Sequence, residues 1–175
     1  SQTVLAGAMT DVVYTANDGY YFPTDYSVTA ANGISVTRNS YTQITVSGTP
    51  SATTDITLTV ATEKATQSAP TGLSDGVDKI AGTTTVMEYA SSANVASWNA
   101  CSDGNTTVAA GTWYVRLKET DTKKASTATS IAVTPTRYQV TVNNGTGDGN
   151  YIKGATITIT ADVAPSGKEF DKWTV

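Results

Sequence analysis

The side chains that most often carry enzymatic chemistry are sparse in this protein. Histidine is absent, which removes His-based triads, HExxH zinc proteases and every zinc site that needs an imidazole. The single cysteine lies in Trp98-Asn99-Ala100-Cys101-Ser102-Asp103-Gly104. A nucleophilic thiol needs a base or a cation beside it to form a thiolate. That stretch offers neither, so Cys101 reads as a half-buried structural residue, and being alone it closes no internal disulfide. Close carboxylate pairs occur at Asp75 and Asp78, Glu119 and Asp121, and Glu169 and Asp171. Two carboxylates can hydrolyse a glycosidic bond, but these lie in turns or at strand ends, where acids are commonplace. No catalytic residue is assigned.

Metal and sugar chemistry leave a little more to weigh. Asn143-Asn144-Gly145-Thr146-Gly147-Asp148-Gly149-Asn150 loosely echoes a calcium loop, yet a dedicated site takes six to eight oxygens with several carboxylates. Asp148 is its only acid, so a hairpin turn is the better reading, and neither metal nor other cofactor is expected. Sugars stack their C–H faces on exposed aromatic rings. Phe22, Trp98, Tyr114 and Trp173 sit in strand-like contexts and read as core. Tyr20 and Tyr21 follow the Asp18-Gly19 turn, where alternation buries only one of the two. The exposed one is the candidate glycan contact.

Positioning these groups falls to β structure. Thr, Val and Ile make up a third of the sequence, whereas Leu occurs only at positions 5, 58, 73 and 117. Branching at Cβ favours strands and restricts helical rotamers. Apolar and polar residues alternate in Gly33–Thr37, Tyr41–Ser47, Asp55–Ala61, Trp113–Lys118, Tyr138–Val142 and Thr156–Thr160, the pattern of antiparallel strands wet on one side. Asp18-Gly19, Asn32-Gly33, Asp75-Gly76, Asp103-Gly104 and Asn144-Gly145 supply turns that accept positive φ. The fold class expected is all-β.

The 175 residues hold 39% apolar and 15% charged residues, enough to bury a core. Glu63–Gly72 is polar, contains Pro70 and reads as a strandless linker; Thr134-Pro135-Thr136 reads as a second, tighter joint. These joints divide the sequence into three small β modules, 1–69, 70–135 and 136–175. Domains of this size are marginal alone, so a short joint implies neighbours that pack on each other. Lys and Arg total 11 against 15 Asp and Glu, net −4. The cations are scattered, which argues against nucleic acid. The densest pair, Lys123-Lys124, sits in a mixed-charge turn that reads as a solvated loop. Apolar runs are too short to cross a bilayer. Leader and anchor are not seen, so a surface protein with this sequence would be an excised part.

An internal repeat is also visible: Gly7-Ala8, Val12–Ala16 and Gly19–Phe22 return as Gly154-Ala155, Ile157–Ala161 and Gly167–Phe170. By that alignment the first module lacks a counterpart of the strand that opens the last one. Tyr138–Val142 is then expected to be poorly ordered or docked on another sheet edge, with strand-mediated self-association as one outcome.

Tyr138–Val142, the Gly-rich hairpin, Gly154-Ala155-Thr156-Ile157-Thr158-Ile159-Thr160-Ala161 and Phe170-Asp171-Lys172-Trp173 together resemble the divergent B-repeat of internalin-type bacterial surface proteins, a small β-grasp-like unit. The entry Ala69–Leu73 and the stretch Val108–Leu117 resemble a bacterial fibronectin type III or Ig-like domain. That resemblance places Tyr114 at the tyrosine corner, where a Tyr hydroxyl bonds back to the preceding loop. The resemblances imply a non-catalytic structural or adhesive module array of a secreted or cell-wall-attached bacterial protein, extracellular, with a protein or glycan partner. The alternative is a set of carbohydrate-binding accessory modules on a secreted polysaccharide-degrading enzyme.

Overall fold

The computed structural model describes residues 7–172. The protein is all-β: among the described residues there is no helix, and the strands form several small sheets. No helix is therefore long and apolar enough to cross a membrane.

The fold opens with β1 (Val12–Thr15), β2 (Tyr20–Tyr21), β3 (Ile34–Arg38), β4 (Gln43–Gly48) and β5 (Thr62–Glu63). β1, β4 and β3 form a three-stranded antiparallel sheet in that order, and β2 pairs with β5. Alternation sets the buried face. Ile34, Ile44 and Val46 are buried while their neighbours point outward, and Phe22 joins this core. Asn32-Gly33 makes the turn into β3 with φ of 47° and 81°, closed by reciprocal Ala31–Ile34 backbone bonds. Two successive positive φ angles match the right-handed twist of the flanking backbone, and Asn-Gly tolerates them best.

The middle of the sequence holds β6 (Ser74–Asp75), β7 (Lys79–Thr83), β8 (Met87–Ala90), β9 (Asn99–Ala100), β10 (Gly104–Thr107), β11 (Gly111–Leu117) and β12 (Thr129–Val133). They divide into a three-stranded sheet, β10-β7-β6, and a four-stranded one, β12-β11-β8-β9. Ile80 and Val115 are fully buried, each burial contributing about 1.5–3 kcal/mol. Thr83 and Thr106 are also buried and share a hydroxyl–hydroxyl bond of 2.9 Å between β7 and β10. Thr83 Oγ1 also bonds the Ser102 carbonyl, and Ser102 N donates to Thr106 Oγ1. Buried hydroxyls remain tolerable only when satisfied in this way.

The last segment carries β13 (Arg137–Val140), β14 (Gly145–Thr146), β15 (Gly149–Ile152) and β16 (Thr160–Ala161). β13 pairs with β15 and β14 with β16, both antiparallel.

The protein divides into two compact units, neither of them continuous in sequence. The first takes the residues up to Thr71 together with Val86–Tyr89 and Val115–Thr129; the second takes Gly72–Thr85, Ala90–Tyr114 and the residues from Ser130 onward.

Several expectations need correction. Asp55–Ala61 keeps its alternating exposure but has no ladder partner, and pairing begins only at Thr62. Of Thr156–Thr160 only Thr160 pairs. Alternation records which face is apolar and says nothing about whether a neighbouring strand is within reach. The two halves of the sequence repeat pair differently: Val12–Thr15 lies in a three-stranded sheet, whereas the aligned segment contributes a two-residue strand. Within this protein, Arg137–Val140 pairs with Gly149–Ile152 of its own hairpin rather than with another of its sheets. Glu63–Gly72 is not strandless either, since Thr62–Glu63 pairs with Tyr20–Tyr21.

Candidate functional site

Both segments read as joints are fastened. The first is held by the mixed-charge turn 118–124, which is therefore not simply a solvated loop. Ala65 N donates to Thr122 O at 3.0 Å and Lys124 N to Ala65 O at 2.9 Å, and Lys64 N reaches Gly19 O. Gln67 Nε2 donates to the carbonyls of Lys118 and Lys124, at 3.0 and 2.8 Å. Two ion pairs join the same two segments in crossed order: Glu63 with Lys124 at 2.6 Å and Lys64 with Glu119 at 2.5 Å. Thr129 Oγ1 bonds Pro70 O. The Lys124 ammonium holds the Glu63 carboxyl below its usual value, and the hydrogen bond to Glu63 raises Lys124. Such surface pairs add little alone, so the backbone and Gln67 bonds carry this clasp.

The second joint is held by the turn after β6. Asp75 Oδ1 accepts from Val77 N at 2.9 Å and Thr134 N at 3.2 Å, and Asp75 Oδ2 accepts from the Thr134 hydroxyl at 2.5 Å. Asp78 Oδ2 accepts from Thr136 N at 2.9 Å, while Asp78 N donates to Thr134 O. Val77 and Asp78 both adopt positive φ, 59° and 54°. That conformation is strained for a β-branched residue, and this turn holds it while aiming both carboxylates at Thr134-Pro135-Thr136. Hydrogen bonds from Thr134 lower the Asp75 carboxyl, and those from Thr136 lower Asp78. A general acid needs the opposite shift. The Asp75–Asp78 pair binds the turn to 134–136 through these bonds.

Of the aromatic candidates, Tyr20 is 40% exposed and Tyr21 is half-buried. Tyr21 lies 6.2 Å from the Tyr41 ring, and the Arg38 guanidinium sits 4.4 Å over that ring. Arg38 Nε donates to Phe22 O. Tyr41 and Arg38 were not legible as a cluster, because only the β3–β4 hairpin brings them beside β2. Trp98 is half-buried and Cys101 is buried more fully than expected. Trp173 lies outside the described residues. At the proposed corner, the bond back to the loop is made by Trp113, whose indole N–H donates to Ala109 O at 2.8 Å. Among the described residues the Tyr114 hydroxyl makes no such bond.

In the Gly-rich turn Asp148 Oδ1 accepts from Val142 N at 2.9 Å, so its one carboxylate is occupied in closing the hairpin. Among the described residues no group of three or more His, Cys, Asp or Glu converges. A broad open cavity of about 1000 Å³ lies along Val140–Asn144, Ile159 and Phe170. Comparison with protein-family models, curated proteins and solved structures found no match.

Proposed function

We propose that this protein is a non-catalytic structural and adhesive module array from a bacterial secreted or cell-wall-attached surface protein, working as a spacer. The observation that carries the reading is the fastening of both linker-like segments, 63–72 and 134–136, each within its own unit: a spacer has to resist local opening and cleavage in such stretches. Seven central strands divided three and four between two sheets support the kinship with fibronectin type III and Ig-like sandwiches. The occupied Asp75, Asp78 and Glu119 carboxylates, with no histidine in the sequence, support a role without catalysis. Limited proteolysis of the native protein tests the reading. Cleavage should spare 63–72 and 134–136, and early cutting in either would overturn it.

Carbohydrate binding is the second reading, and the exposed Tyr20 ring favours it. Tyr20 lies next to Tyr21, with Tyr41 and Arg38 alongside. A glycan array separates the two: a pure spacer gives no signal, whereas a binding module loses its signal on Tyr20→Ala.

A further inference from the structure

We propose that Asn144-Gly145 is a self-modification site, at which the native fold favours deamidation through a cyclic imide. The sequence contains two Asn-Gly pairs, Asn32-Gly33 and Asn144-Gly145. The two pairs are alike in sequence and differ in their folded surroundings.

The second pair has what ring closure needs. Asn144 is exposed with φ of 60°, and among the described residues its side-chain amide makes no hydrogen bond. Its carbonyl accepts from Asp162 N at 2.9 Å. In a trans peptide unit the following N–H points opposite to that carbonyl. Gly145 N–H is therefore turned away from β16, outside the ladder. Gly145 also lacks a Cβ to obstruct ring closure.

Asn32 is held. Its amide nitrogen donates to Thr54 Oγ1 at 2.9 Å, and the turn is locked by the Ala31–Ile34 bonds on one side and Thr49 N to Gly33 O on the other. Its carbonyl accepts from Ser51 N, so Gly33 N–H is turned outward too. The difference lies in the anchored side chain and the closed hairpin, both of which keep Asn32 Cγ from reaching Gly33 N.

The chemistry needs only hydroxide and water. Hydroxide takes the Gly145 N–H proton, the nitrogen bonds to Asn144 Cγ, and the bond from Cγ to Nδ2 breaks. Nδ2 leaves as ammonia after taking a proton from water. Water then opens the ring at either carbonyl, giving aspartate or isoaspartate. Either product adds a negative charge to a turn that already holds Asp148. The iso form also inserts a methylene into the backbone, which breaks the register of Gly145 with Ala161.

The test is peptide mapping by mass spectrometry of the intact protein held at mildly alkaline pH. The NH2-to-OH mass change and isoaspartate should accumulate at position 144 several-fold faster than at position 32. In denaturant the two rates should converge. Thr54→Ala should raise the rate at 32 towards that at 144, and Gly145→Ala should suppress the change at 144 alone. Equal native rates, or a faster reaction at 32, would overturn the proposal.

Discussion

A buried hydroxyl is tolerated only with its partners in place, and Thr83 illustrates the cost of removing one. Thr83→Val leaves the Ser102 carbonyl and the Thr106 hydroxyl each short of a bond. Unfolding free energy should fall by about 1–3 kcal/mol, and Thr106→Val should add less than its own single cost because the two share one network. Urea melts of the singles and the double check this, and strict additivity would dismantle the network. The corner makes a second residue-level contrast. Trp113→Phe deletes the indole N–H that holds Ala109 O and should cost about 0.5–1.5 kcal/mol. Tyr114→Phe should leave the melting midpoint where it was. If Tyr114→Phe is the costly change, the Tyr hydroxyl is the anchor after all. Cys101, buried at 6% exposure, should react with a thiol reagent only as fast as the protein opens.

At the scale of elements, the two fastenings respond to pH in a direction the carboxylates dictate. Asp75, Asp78 and Glu63 are held below their ordinary values in the folded protein. A depressed carboxyl stabilises the fold above its unfolded value, ~4, and that contribution disappears as pH falls through the depressed folded value. Lys124 is raised, so its share is present below the unfolded lysine value, ~10.4, and disappears as pH climbs through the raised one. Both joints should therefore be closed across the neutral range and loosen in acid. The backbone amides of Val77, Thr134 and Thr136 report the Asp titrations in an NMR pH series. Midpoints at or above the ordinary aspartate value would show that the carboxylates are not engaged. For the first joint, Gln67→Ala removes two bonds at once and should make 63–72 the earliest protease cut, while Glu63→Gln changes little in high salt.

For the molecule as a whole, the compact units do not follow the sequence boundaries. Val115–Thr129 belongs with the residues up to Thr71, because Gln67, Lys64, Ala65 and Pro70 bond to it. A fragment spanning 70–135 would keep the turn and lose the segment that the turn binds. It should melt lower and over a broader range than the same region in the intact protein, as followed by circular dichroism with temperature. A sharp transition at the intact midpoint would restore 70–135 as an independent domain. Beyond β16, Val163 and Phe170 remain exposed on a stretch without strands, so hydrogen exchange should be fastest there.

Cβ branching, period-two alternation and Asn-Gly turns were enough to read an all-β protein and to place β3, β4, β11 and β13 within a residue or two. These are local properties: a pleated backbone and a two-residue turn are decided by neighbouring residues. Two alternating runs, Asp55–Ala61 and Thr156–Thr160, had the same local pattern and formed almost no ladder, because a ladder needs a second backbone brought from elsewhere. The same reason hid the fastenings. Asp75 and Thr134 are 59 residues apart and Gln67 and Lys124 are 57 apart, so a turn acid and a linker glutamine look like solvated polar residues until the backbone closes on itself. What the side chains can do was written in their types; which backbone groups they hold was decided by contacts that only the folded protein makes.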